Sequence, residues 1–225
     1  MSSAVVVRPV ETAADLKKFI AFPYRLHRGD PNWVPPLRMD IRKLLSRKKN
    51  PFFNHADAQY FLATSQGDGQ IVGRIAAIHN RRHNEFHEDA VGFFGFFDCA
   101  ENQDAARALL DTAADWLKQR GLEKMRGPAS FSTNDECGLL VDGFETPATV
   151  LNPHNPRYYV DLLENSGMTK SMDMYQYQTV SPQLPERLMR GARLIMQRKK
   201  ITLRGLDIKN FDEEIEKIKK IYNAA

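Results

Sequence analysis

The sequence predicts a mixed α/β domain built around one parallel βαβ crossover, with a helical tail after it. Three observations carry this reading. The run Val91-Gly92-Phe93-Phe94-Gly95-Phe96-Phe97 is so apolar that both faces of a strand there must be covered. After it, Ala106, Leu109, Leu110, Ala113, Trp116 and Leu117 recur at helical spacing, and Gly121 stands just beyond as a helix stop. Lys124-Met125-Arg126-Gly127 then returns to the sheet, and a helix joining two neighbouring strands implies that they run parallel.

The other elements follow in order. Val5-Val6-Val7-Arg8 is a β-branched run and a first strand. Thr12 caps a helix through Asp15, Leu16, Phe19 and Ile20. Pro31, Pro35 and Pro36 make 29–36 a loop with Trp33 pinned on the core, and a short helix covers 37–48. Tyr60 to Thr64, the turn Gly67-Asp68-Gly69, and Ile71 to Ile78 read as an antiparallel hairpin. Glycines 92 and 95 point to close backbone approach or a bulge. Past the crossover come a polar loop at 132–143, a helix at 156–165 ending at Gly167, and a last strand at 172–180 that closes the sheet. The domain is expected over 1–182 and a linker over 183–200. Residues 201–225 repeat the opening theme of strand and helix, as the start of a second, truncated copy; the same residues also suit an ordinary strand and helix completing the first domain.

Composition excludes several classes. Apolar and charged residues make up 42% and 27% of the chain, as in ordinary globular domains. No apolar run is long enough to cross a bilayer, and Met1-Ser2-Ser3 lacks the charge pattern of a signal peptide. Cys99 and Cys137 build no disulfide framework and match no metal spacing, so a cytoplasmic setting is expected. The pI near 9.0 belongs to the tail: residues 186–225 carry 11 Lys and Arg against 6 Asp and Glu, whereas 1–185 hold 21 against 22. Neither nucleic acid nor membrane is therefore expected as a partner. Arg47-Lys48-Lys49 near Arg42 and Lys43 reads as a phosphate contact or a solvated helix end. His79, His83 and His87 are spaced by four, but they follow a strand in a charged stretch, and no metal site is expected.

The order of elements resembles the fold of the acyl-CoA-dependent N-acyltransferase (GNAT) superfamily over residues 4–180. The stretches His83-Asn84-Glu85-Phe86-His87, Gly92 to Phe97, Arg126-Gly127-Pro128, Ser132 to Phe144 and Asn155-Pro156-Arg157-Tyr158-Tyr159 are similar to those of a group of bacterial GNAT-like proteins with longer chains. The resemblance implies a mostly antiparallel sheet whose parallel pair splays into a V. It also implies acetyl-CoA or another acyl-CoA as co-substrate, a small-molecule or peptide amine as acceptor, and a second repeat of the same chain as partner.

The resemblance also assigns residues. The acyl donor would lie along Phe97, Asp98 and Cys99 and over the helix N-terminus at Asn102, Gln103, Asp104, Ala105 and Ala106, where free N–H groups favour a diphosphate. The family's Arg/Gln, Gly and Gly/Ala positions fall on Glu101, Asp104 and Ala106. Two carboxylates there oppose a diphosphate by about 1 kcal/mol each, and suit instead the first turn of a capped helix. The family's proton-donating tyrosine falls on Leu163, leaving Tyr159, one turn earlier, as the substitute or, with Tyr158, as core packing. Ser132, Asn134 and Asp135 would meet the acceptor, and Glu136 would take its proton. The same residues also fit capping boxes, Ser132 with Asp135 and Thr133 with Glu136. A module of this fold with no activity, binding a ligand or supporting an active second repeat, is the alternative function.

Overall fold

Residues 4–177, 183–202 and 204–224 are described by a computed structural model, in which the chain divides into two units, 1–174 and 175–225. The first unit holds a five-stranded sheet. Strands β1 (Val5–Pro9), β2 (Ala56–Ser65), β3 (Ile71–Asn80), β4 (Val91–Cys99) and β5 (Lys124–Arg126) lie side by side in sequence order. The first four are antiparallel, and β4 and β5 form the parallel pair. This is the mostly antiparallel sheet with one parallel crossover pair expected from the order of elements.

Helices cover both faces of that sheet. Before β2 come α1 (Ala13–Leu26) and α2 (Arg38–Leu44). Thr12 accepts the Asp15 N–H at 3.1 Å and donates its hydroxyl to the Asp15 carboxylate at 2.7 Å, while Arg8 pairs with Asp15 at 2.9 Å. Those bonds satisfy the first turn of α1. Phe19, Ile20, Leu45, Tyr60, Leu62, Ala76, Ile78, Phe96 and Phe131 make the core on this side. A short helix α3 (Arg81–His87) follows β3, and α4 (Gln103–Lys118) is the crossover. Leu109, Leu110, Ala113 and Leu117 of α4 pack on the opposite face with Ile75, Ala77, Phe94, Phe97 and Cys99. Helix α5 (Tyr159–Glu164) adds Tyr159, Leu162 and Leu163 to that second core.

The two faces meet across an irregularity in β4. Ala76 pairs with Gly95 but Arg74 pairs with Asp98, so β4 spends one more residue than β3 over this stretch, and Phe96 there has φ 48. Such a bulge reverses which face the following side chains meet. Phe93 and Phe96 both lie on the α1 side although three residues apart, and Phe97 and Cys99 fall on the α4 side. Without the extra residue Asp98 would share the α4 core with Phe94.

Beyond Phe93 and Arg126 the regular β4–β5 pairing stops. The chain stays close for a few more residues, with Ala129 N–H donating to Phe94 O at 2.7 Å and Phe96 N–H to Ser130 Oγ at 3.3 Å. Glycine is required here. A Cβ on Gly95 would lie 2.1 Å from Ala129 O, and one on Gly127 2.3 Å from Phe94 O. By Cys99 the neighbouring strand is gone, and tyrosines of the α5 region stand in its place. This opening is the expected splay.

Three expectations need correction. Residues 172–177 form no strand, and 178–180 lie outside the described residues. The expected linker contains a helix, α6 (Glu186–Lys199). The strand expected at 201–205 is absent at 201, 202, 204 and 205, with 203 outside the described residues, while the helix after it is present as α7 (Phe211–Ala224). A strand needs a pairing edge, which apolar alternation alone does not supply.

Candidate active site

Asp98 is the hub of the site. Its carboxylate accepts from Arg74 Nε at 2.7 Å and meets His27 Nε2 at 2.9 Å, and the Tyr159 hydroxyl lies 3.4 Å away. Each partner comes from a different element. Arg74 is the cross-strand neighbour on β3 and also donates to Phe19 O at 2.9 Å, with its guanidinium 4.8 Å above the Phe19 ring. His27 closes the end of α1 and lies against Trp33, ring centroids 5.1 Å apart. Burial works to raise the Asp98 pKa, but Arg74 and His27 outweigh it and hold the carboxyl below the ordinary range. An ionised, fully paired carboxylate positions its neighbours and is a weak base.

Glu136 has the opposite environment. The chain on either side of it is clamped, because Ser130 N–H donates to Glu136 O at 2.8 Å, Ala129 bridges Cys137, and Gly138 N–H donates to Pro128 O at 2.8 Å. Its side chain is exposed to solvent, and the surrounding protein nonetheless weakens hydration of the charged carboxylate. That burial, helped by the charge of Asp98 and opposed by Arg74 and His27, pushes its pKa up to about 7. Among the described residues no side-chain hydrogen bond or ion pair to Glu136 is present. The loop above it satisfies itself: Ser132 Oγ donates to Asp135 Oδ2 at 2.7 Å and accepts from Asn134 N–H at 3.2 Å. Of the carboxyls in this loop expected at the site, Asp135 is paired and Glu136 is exposed without a side-chain partner among the described residues. Ser132 and Asp135 bond side chain to side chain rather than as the expected capping box, and no helix starts there.

The expected donor side is arranged differently. Asn102 caps α4 with its own Oδ1 on Ala105 N–H at 3.0 Å, and Ala106 N–H donates to Asn102 O at 3.1 Å. Gln103 turns away and donates to Leu162 O at 3.1 Å and Ser166 Oγ at 2.9 Å, tying α4 to α5. Ala105 and Ala106 are fully buried, whereas Glu101 and Asp104 place carboxylates at the rim. On β4, Cys99 N–H donates to the Tyr159 hydroxyl at 2.9 Å and Cys99 O accepts from the Tyr158 hydroxyl at 2.9 Å. The Phe97 ring packs edge-on to Tyr159, centroids 5.4 Å apart. The Cys99 peptide groups are therefore engaged within the protein, and a diphosphate at the first turn of α4 would meet the negative charge of Glu101 and Asp104.

Tyr159 sits in the core with its hydroxyl held protonated, since burial and the charge of Asp98 raise its pKa well above the usual value. Tyr158 is raised as well, by burial first. Cys99 is likewise buried, and its thiol is pushed up to about 12, which makes it inert. His83 and His87 lie with ring centroids 4.3 Å apart on α3, and no group able to hold a metal occurs among the described residues.

Sequence reasoning missed His27 and Arg74. The available signal was an arginine inside the apolar run Ile71-Val72-Gly73-Arg74-Ile75-Ala76-Ala77-Ile78, because a charge in a covered strand requires a buried partner.

The sheet order and crossover define a mixed α/β domain with one parallel pair, β4 and β5. Against known proteins, no family model matches the chain. It is 38% identical over 221 residues to the bacterial ceramide synthase of Caulobacter vibrioides, covering 97% of this chain and 57% of that one. It is 37% identical over 225 residues to protein YghO of Escherichia coli, covering 97% of this chain and 55% of that one. The chain thus spans a little over half the length of these relatives. Among solved structures, an aminoglycoside acetyltransferase from an uncultured soil sample, in complex with sisomicin, aligns at 15% identity and TM-score 0.48, over 79% of this chain and 97% of that one.

Proposed function

We propose that the chain is the acceptor-activating part of an N-acyltransferase that joins an acyl group from acyl-CoA to the amine of a long-chain amino alcohol. The observation that carries this reading is Glu136, a solvent-exposed carboxyl with no side-chain partner among the described residues, whose pKa of about 7 suits proton transfer near neutrality. Glu136 takes the proton from the acceptor's ammonium or attacking amine. The freed nitrogen attacks the thioester carbon, the carbon–sulfur bond breaks, and the proton passes on to the leaving thiolate. No covalent enzyme intermediate is needed. Asp98 holds Arg74 and His27 beneath this site and keeps Glu136 from ionising too early. The acceptor class is suggested by the relative named a ceramide synthase, since a ceramide is an amide of a long-chain amino alcohol.

The second reading is a silent module that supports activity elsewhere in a longer protein, such as a second repeat. It is favoured by the carboxylates at the start of α4 and by Tyr159 on the Cys99 amide. Incubating the chain with labelled long-chain acyl-CoA and a long-chain aminodiol separates the two. Amide formation that Glu136→Gln abolishes supports the acyltransferase. No amide, together with no calorimetric binding at millimolar acetyl-CoA, supports the silent module.

A further inference from the structure

Residues 186–200 contain six Lys and Arg against one acid, while the remaining residues hold 26 against 27. The whole basic excess of the protein therefore sits on one segment of 15 residues. That segment folds as α6, 14 residues long, with Lys200 at its end. None of its residues is buried. Around its axis Leu188, Met189, Ala192, Ile195 and Met196 fall on one side, with Lys199 at its C-terminal end, and Arg187, Arg190, Arg193 and Arg198 fall on the other, with Leu194 among them. Leu188 and Ile195 are 61% and 58% exposed. Among the described residues, no acid pairs with any of the six cations.

A helix of this length gains little from its own backbone in water and depends on a surface that covers its apolar side. That surface must also offer negative charge along the helix flanks. A polynucleotide offers the charge but leaves Leu188, Ile195 and Met196 in water. A protein groove covers the apolar side but leaves six cations unmatched unless it is strongly acidic. An anionic lipid bilayer meets both needs, with the apolar stripe in the acyl boundary and the arginines among the phosphates.

We propose that α6 docks the protein on an anionic membrane surface, lying in the plane of the headgroups. No helix among the described residues is long and apolar enough to cross a membrane, and surface docking requires none. The proposal stands on α6 alone and does not depend on the acyl-transfer reading.

Sedimentation of the whole chain with vesicles tests it. Binding is expected to vesicles containing about 30% phosphatidylglycerol and not to pure phosphatidylcholine. Arg190→Glu/Arg193→Glu/Arg198→Glu should weaken it by roughly 100-fold or more, given about fivefold per cation removed. Leu188→Ser/Ile195→Ser should weaken it by roughly tenfold, most visibly in high salt. A Leu188→Trp probe should shift its emission to the blue on anionic vesicles only. Both variant sets lie on an exposed helix, so an unchanged thermal midpoint shows that they fold. The proposal is overturned if wild type does not sediment with anionic vesicles. It is equally overturned if Arg42→Glu/Lys43→Glu/Lys49→Glu removes binding while the α6 variants retain it. A third contrary result is a single-stranded polynucleotide that binds as tightly as the vesicles and ignores Leu188→Ser/Ile195→Ser.

Discussion

Two regions flank the open end of β4, and they treat their polar groups in opposite ways. At the start of α4, Asn102 caps the helix, Gln103 reaches across to α5, and Tyr158 and Tyr159 occupy both peptide groups of Cys99. In the loop after Pro128, Ser132 and Asp135 bond to each other, but Glu136 has no side-chain partner among the described residues and feels the charge of the paired Asp98. Satisfied polar groups hold a fold together. A carboxyl whose charged form is disfavoured in the folded state costs stability at neutral pH, and groups with raised pKa values concentrate at sites of chemistry. The contrast predicts that substitutions near α4 change stability, whereas substitution of Glu136 changes activity.

The largest effect belongs to Glu136→Gln, which should lower amide formation by roughly a hundredfold to ten-thousandfold. The wild-type rate should rise with pH through about 7 and then level, and the variant should lose that profile. Stability should move the other way. Because the folded state holds this proton more tightly than the unfolded chain, wild-type stability declines as pH rises from about 4.5 to about 7. Urea unfolding at pH 5 and pH 8 should show less of this decline in Glu136→Gln. If the variant keeps full activity, the contrast between the two regions fails.

Next comes Asp98→Asn. It leaves the Arg74 guanidinium buried without its counter-charge and should cost about 3 kcal/mol in urea unfolding. It should also lower the pH at which the rate rises, because Asp98 is one of the groups that raise Glu136. Tyr159→Phe removes the acceptor for the Cys99 amide and should cost about 1 kcal/mol. Amide formation that vanishes with only this small loss would give Tyr159 a chemical role in place of a structural one. The smallest effect is Asp104→Arg, about 0.5 kcal/mol of lost helix-terminus stabilisation. A large gain in calorimetric acetyl-CoA affinity in this variant would show that the start of α4 is a donor site suppressed by its acids.

Much of the architecture was legible along the chain. The Phe-rich run, the helical spacing from Ala106 to Leu117 and the return at Lys124 specify the crossover through local periodicity and length. Thr12 announced α1, and the density of polar residues after Ser130 marked the loop that presents Glu136. The expected strand at 172–177 failed because apolar alternation does not reveal whether an edge is there to receive it. The expected linker failed because its amphipathic helix buries nothing, so packing supplied no cue beyond its own period.

What the sequence determined by itself was the set of elements and their order, since these rest on contacts between residues close in the chain. The tertiary structure decided the phase of β4. Phe93-Phe94-Gly95-Phe96-Phe97 reads the same from either end, so nothing in it tells which ring meets which core. One extra residue at Phe96 turns Asp98 from the α4 side to the α1 side, where Arg74 and His27 receive it. A register choice of this kind depends on the partner strand, and the partner is known only once the sheet has formed.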